Sequence, residues 1–315
     1  MTSSYRLIFA AICLSAVSIL LSLAKGSISI SFQQLLFNAS DQTHLIFWQL
    51  RFPRTIAAFV CGGLLALAGS LMQLLLQNPL ADPYALGISS GAALITLLLM
   101  LAGVSDMWLS GGAWLGSLLT IVLILFVTRK QQFHPHTLLL AGIALACGFS
   151  ACISCILLLS PAANLHSMLF WLTGDLNAVR FPWFALIVLA GGFIICLILA
   201  PGLNLLGRDE KEAKALGLPA ATYRLVLYLL TSLFTASAVT LAGCIGFVGL
   251  IVPHITRRLT GFDHRIMLPV ALLLGGSLLT LADTLARSLF APQELPVGMM
   301  MALIGVPVFI WILQK

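Results

Sequence analysis

The sequence predicts an all-α polytopic membrane protein, and three observations carry that prediction. The first is composition. Of 315 residues, 60% are hydrophobic and only 8% charged, with a mean hydropathy of +1.09, whereas ordinary soluble domains carry about 25% charged residues. The second is continuity: 115–128 and 183–200 are apolar on every face, while barrel strands would alternate apolar and polar positions over about ten residues. The third is length. A helical span needs about 20 residues, so a single transmembrane domain over 1–315 has room for about ten spans and no soluble domain.

Reading breaks at proline, glycine and charge places the elements in order. The first 24 residues resemble a signal peptide, with Arg6 before a long apolar run, but no small-x-small cleavage site precedes Lys25, and 7–24 reads as a retained first span. A polar segment, 25–53, ends at Arg51, Pro53 and Arg54, and span two follows to about Leu76. After a turn with two prolines at 77–83 come span three at 85–102 and span four at 112–128, which stops at Arg129 and Lys130. Span five covers 137–160. The stretch 161–182 is too polar to cross, and span six begins at Trp183. The densest charge cluster, 208–224, separates it from span seven at 225–243. A short apolar piece at 245–256, a charged turn at 257–265, span nine at 267–290 and span ten at 297–313 complete the chain.

Charge then orients the helices. With the short piece counted as span eight, one side receives Arg6, Arg129, Lys130, Arg208, Lys211, Lys214, Arg224, Arg257, Arg258, Arg265 and Lys315; the other receives Lys25, Arg51, Arg54, Arg180 and Arg287. The positive-inside rule therefore puts both termini in the cytoplasm. The same rule accounts for the net charge of +6, and because the cations are scattered between apolar runs, nucleic acid is excluded as a partner.

Catalysis finds no support. There is no G-x-x-x-x-G-K-[ST] phosphate loop, and no nucleophile stands with a base and an orienting group. The seven cysteines fall inside apolar runs and read as packing residues; Cys152 and Cys155 form a C-x-x-C without the further ligands that a metal or redox site needs. His134-Pro135-His136 offers two ligands, too few to hold a metal.

Four longer motifs narrow the class. WQLRFPRT (48–55), QNPLADPYALGISSGA (77–92), GCIGFVGLIVPHITRRLTGFDHR (243–265) and ELPVGMMMALIGVPVFIWIL (294–313) resemble, in order and over nearly the whole chain, the FecCD-type permeases. These are membrane subunits of bacterial importers for iron siderophores, haem and cobalamin. The resemblance implies a type II ABC importer permease fold with ten transmembrane helices, sited in the bacterial inner membrane. It implies as partners a second copy (homodimer) or a close paralogue, two ATP-binding subunits and a periplasmic substrate-binding protein. It also implies that this chain binds no cofactor, ATP and magnesium being used by the ATPase subunit.

The resemblance assigns roles residue by residue. The loop at about 207–224 is the segment that couples to the ATPase, with Arg208, Asp209, Glu210, Lys211, Glu212, Lys214, Leu216, Gly217, Leu218 and Pro219 as its contacts. Arg51, Arg54 and Arg287 match arginines that grip acidic residues on the binding protein; by themselves they also read as snorkelling anchors, with Arg287 held by Asp283 one helical turn earlier. Asn78, Pro79 and Leu80, faced by His136 and Thr137, form the cytoplasmic gate, plain helix termination being the other reading. Ser150 and Met299, Met300 and Met301 line the pathway, although methionines in a membrane helix also serve packing. A secondary active transporter not coupled to ATP is the rival function. It would need intramembrane acids, and the only mid-span acid is Asp283, which has an arginine neighbour.

Overall fold

The computed structural model describes residues 2–26, 44–131, 133–177, 179, 181–208, 213, 215–289 and 291–314. Among them lie eleven α-helices and no strand: α1 (Thr2–Ala24), α2 (Phe52–Leu75), α3 (Ile88–Leu101), α4 (Asp106–Thr128), α5 (Pro135–Leu159), α6 (Ala162–Thr173), α7 (Trp183–Leu206), α8 (Ala220–Ala242), α9 (Val248–Thr260), α10 (His264–Ser288) and α11 (Val297–Leu313). Ten of them fall on the stretches read as spans, and the additional one, α6, lies in the 161–182 stretch. Seven helical stretches, those of α1, α2, α4, α5, α7, α8 and α10, are long and apolar enough to cross a membrane; α3, α9 and α11 are shorter.

Local chemistry sets the breaks. α2 begins with Pro53 in its first turn, where a missing N–H costs nothing, and ends before Gln77, which adopts a positive φ of 48°. Asn78 Oδ1 then accepts the Leu80 N–H at 2.9 Å, closing an Asx turn. Asp82 Oδ1 caps the next short turn by accepting from Tyr84 N at 2.8 Å, and Gly87, at φ +71°, redirects the chain into α3. Asp263 caps α10 by accepting the Arg265 N–H at 3.0 Å.

The core is organised around α2. Every residue from Val60 to Leu75 is buried, because the run of glycine, alanine and leucine there is packed on all sides, most extensively by α10 and α8. Gly62 and Gly275 let α2 and α10 meet backbone to backbone: a Cβ on Gly62 would collide with the Gly275 carbonyl oxygen. Gly69 and Gly249 do the same for α2 and α9. Gly62→Ala is therefore expected to lower the thermal midpoint of the detergent-solubilised chain, overpacking of this kind costing about 1–3 kcal/mol. Gly111→Ala, where a Cβ would meet nothing within 4 Å, is the control and is expected to leave the midpoint within error. Equal midpoints for the two variants would show that the α2–α10 crossing yields freely.

Large apolar side chains face outward from α1 (Phe9, Val17), α4 (Val122, Phe126) and α7 (Ile187, Ile198), as lipid-facing surfaces require. α5 differs. Leu140, Ile143, Leu158 and Leu159 face outward near its ends, but between them every exposed residue is small or polar: Ala144, Cys147, Gly148, Ser150, Ala151, Cys152, Ser154 and Cys155. The reading of all seven cysteines as packing residues is thus corrected. Cys61 and Cys196 are buried and Cys244 partly so, but Cys13 on α1 and Cys147, Cys152 and Cys155 on α5 lie on the outside of the chain, because both helices have few neighbours here.

Candidate functional site

Three places concentrate polar chemistry in this apolar fold. The first gathers the three arginines at one end of the bundle. Asp283, fully buried on α10, receives both Arg54 (Nη2–Oδ1 2.9 Å) and Arg287 (Nε–Oδ2 3.0 Å), the latter being the i, i+4 pair expected from the sequence. Arg54 also reaches Glu294 Oε2 at 2.8 Å and the Asn177 side-chain oxygen. Arg287 Nη2 donates to Ser22 Oγ at 2.9 Å, and Arg51 Nη1 donates to the Leu23 and Ala24 carbonyls at 3.2 and 3.3 Å. Arg54 and Arg287 against Asp283 and Glu294 make two cations and two anions, so the ion-paired set is balanced, and Arg51 is a third cation beside it. The guanidinium groups face into the protein, onto α1, α10 and the approach to α11. Glu294, with a side chain 26% exposed, is the most accessible member of the ion-paired set.

The second place is a cleft of about 1040 Å³ at the opposite ends of α2, α7 and α9. Gln73 clamps its wall, donating from Nε2 to the Leu250 carbonyl at 3.2 Å and accepting from Arg257 Nη2 at 3.1 Å. Asn204 ties α7 to α10: its Nδ2 donates to Asp263 Oδ1 at 2.8 Å and its Oδ1 accepts the His264 N–H at 2.9 Å. The Asn204 hydrogen bond, joined by the Arg265 N–H and charge, holds the Asp263 carboxyl below the usual carboxylate range. Asn78 and Pro79 of the expected gate and Arg208 of the expected coupling loop all line this cleft, so two expectations from distant sequence meet in one cavity. Leu80 is exposed beside it, whereas His136 and Thr137, at the start of α5, are not among its described lining residues.

Of the remaining coupling positions, Asp209, Glu210, Lys211, Glu212 and Lys214 lie outside the described residues. Leu216 is 69% exposed, Gly217 takes φ +83°, Leu218 N closes a turn onto the Ala213 carbonyl at 2.9 Å, and Pro219 leads into α8.

The third place is a recess of about 390 Å³ between α3, α5 and the α8–α9 link, and Ser150 lines it as expected. Of the three methionines only Met299 is exposed. Met300 is 6% and Met301 0% exposed, so both are packed inside the chain, and neither side chain is on the surface that a pathway wall needs. The sequence reading missed Ser89, Ser90 and Tyr84, which share the recess with Ser150. Two adjacent hydroxyls opening an otherwise apolar span were the available signal.

Comparison with known proteins places these features in a family. The FecCD transport family matches residues 13–315. The vitamin B12 import system permease protein BtuC of Shigella boydii serotype 18 is 38% identical over 311 residues, covering 96% of this chain and 94% of that protein. BtuC of Klebsiella pneumoniae subsp. pneumoniae is 38% identical over 316 residues, covering 99% and 94%. Among solved structures, an inward-facing conformation of a metal-chelate type ABC transporter has a TM-score of 0.90 at 33% identity, covering 98% of this chain and 99% of that one. PsaBC from Streptococcus pneumoniae in complex with Fab has a TM-score of 0.57 at 20% identity, a likeness of fold alone.

Proposed function

Because this chain belongs to the FecCD transport family, we propose that it is the membrane-spanning permease subunit of an ATP-driven importer carrying cobalamin or an iron chelate, such as a ferric siderophore or haem, from periplasm to cytoplasm across the bacterial inner membrane. Ten helices cross, the seven long ones together with α3, α9 and α11, and both termini are cytoplasmic, as the distribution of Lys and Arg favours. α9 has 13 residues and is only about 20 Å long, so it depends on α2 and α10, packed against it, for shielding from lipid. The chain itself performs no chemistry. ATP and magnesium belong to two separate ATP-binding subunits, seated at the cleft lined by Arg208 and the coupling loop, and a second copy of the chain or a close paralogue completes the pathway.

The gate forms where the Asn78–Leu80 turn overhangs that cleft, with His136 and Thr137 at the foot of α5. At the opposite end a periplasmic substrate-binding protein docks. There Arg51, Arg54 and Arg287 act chiefly as internal ties, and Glu294 is the ion-paired group that an arriving partner meets first.

The observation that carries this reading is the surface of α5. Lipid selects large apolar side chains, yet the middle of α5, from Ala144 to Cys155, turns outward small and hydroxyl-bearing ones, which suit a second protein surface or a wet pathway. Its native cysteines supply the test, since thiol modification needs the thiolate and hence water. In the assembled complex a membrane-impermeant thiol reagent is expected to label Cys147, Cys152 or Cys155, to a degree that changes with bound nucleotide, while Cys13 on the lipid-facing α1 stays unlabelled. Labelling of none of the α5 cysteines in any nucleotide state would return α5 to the lipid and remove this reading of the pathway.

A further inference from the structure

The chain breaks its helical path within the membrane between α8 and α9. α8 ends at Gly243 (φ +69°), and Phe247, also at positive φ (+70°), precedes α9. Rising from the charged turn at 257–265, α9 covers about 20 Å of a hydrocarbon core ~30 Å thick, so the 243–247 link lies within it. Irregular backbone at that depth persists only where it is buried in protein or lines a polar cavity, and in transporters broken helices commonly contribute to the substrate site. Here Cys244 and Gly246 of the link line the 390 Å³ recess, opposite Ser89 and Ser90 at the start of α3 and Ser150 and Ser154 one turn apart on α5.

The hydrogen-bonding capacity of the recess is mixed and uncharged. Tyr84 Oη accepts the Ile245 N–H at 2.9 Å, which leaves its own hydrogen to donate. Ser154 Oγ donates to the Ser150 carbonyl at 3.0 Å, which leaves its lone pairs to accept. Among the described residues lining the recess there is no Asp, Glu, Lys, Arg or His. A carboxylate placed there would lose its water without gaining a counter-charge. An amide fits, its N–H meeting serine oxygens and its carbonyl meeting the tyrosine hydroxyl. A volume of 390 Å³ exceeds that of one water, about 30 Å³, but is too small for a whole chelate, so the recess takes an edge of the cargo.

We infer that this recess is a subsite for the neutral, amide-bearing edge of the transported chelate, with Ser89, Ser90, Ser150 and Ser154 as its specificity-determining residues. The inference rests on the permease reading, since only a pathway bordering α5 brings cargo to these hydroxyls. A few neutral hydrogen bonds that form and release within a transport cycle distinguish cargo without trapping it.

The test is uptake by proteoliposomes holding the full complex of chain, ATP-binding subunit and binding protein, offered cobalamin or a hydroxamate siderophore as amide-bearing chelates and haem as a carboxylate-bearing one. The native complex is expected to carry an amide-bearing chelate faster than haem. Replacing all four serines with alanine is expected to lower the ratio of those rates about tenfold while the complex still assembles with its ATP-binding subunit. If the fourfold variant does not assemble, the pairs Ser89→Ala with Ser90→Ala and Ser150→Ala with Ser154→Ala are each expected to lower the ratio by a smaller factor. An unchanged ratio in an assembled variant, or native preference for haem, overturns the subsite and leaves the permease reading standing. A native complex that carries none of the three chelates overturns the permease reading and the subsite with it.

Discussion

Asp283→Asn is expected to cost the chain about 3–5 kcal/mol of stability, because removing one partner of a buried ion pair leaves the other uncompensated. Here one carboxylate serves two guanidinium groups. Asp283 is fully buried, the Arg287 and Arg54 side chains are 4% and 11% exposed, and the asparagine would remove the one carboxylate that ion-pairs with both. The measurement is the thermal midpoint and monodisperse yield of the chain in detergent. Glu294→Gln, at the more exposed end of the set, is expected to lose much less, closer to the 0–1 kcal/mol of surface pairs. The double variant Asp283→Asn with Arg287→Met is expected to recover part of the loss, since it removes charge together with its partner. Equal, small losses for Asp283→Asn and Glu294→Gln would show that the network does not hold α1, α2 and α10 together.

The second large effect is on coupling. Leu216→Asp combined with Lys211→Glu and Lys214→Glu is expected to abolish the stimulation of ATP hydrolysis by the binding protein and to cut uptake at least tenfold. Leu216 offers an exposed apolar contact, and the two lysines supply charges whose reversal repels an acidic partner surface. Stability of the isolated chain should move by no more than about 0.5 kcal/mol, as for most surface substitutions. Normal co-purification, stimulation and uptake in this variant would place the coupling contact elsewhere.

How much of this could be read from the sequence differs between helix and site. The helices were legible because lipid leaves one signal, apolar length, and α1, α5 and α7 carry it without ambiguity. The turns were legible from Pro53 and Pro79, each placed where a helix starts or stops, and from the charged run 257–265. The partners of Arg54 were not: Asp283 is 229 and Glu294 240 residues away, and no local period connects them. Arg287 with Asp283 was legible because four residues make one helical turn. The burial of Met300 and Met301 and the exposure of Cys147 and Cys155 were not, since no periodic pattern in α5 or α11 says which side a neighbour covers. The convergence of Asn78, Pro79 and Arg208 on one cleft likewise needed the fold, which brings the ends of α2 and α7 together.

The central claim is that this chain moves a metal chelate only when a separate subunit hydrolyses ATP. The most direct measurement compares chelate uptake by proteoliposomes containing this chain alone, and this chain with its ATP-binding subunit and binding protein, each with ATP and magnesium, with ADP, and with an imposed proton gradient. Uptake is expected solely in the full complex with ATP and magnesium, with no ATP hydrolysis by the purified chain. Uptake by the chain alone driven by the proton gradient would contradict it and identify a secondary transporter.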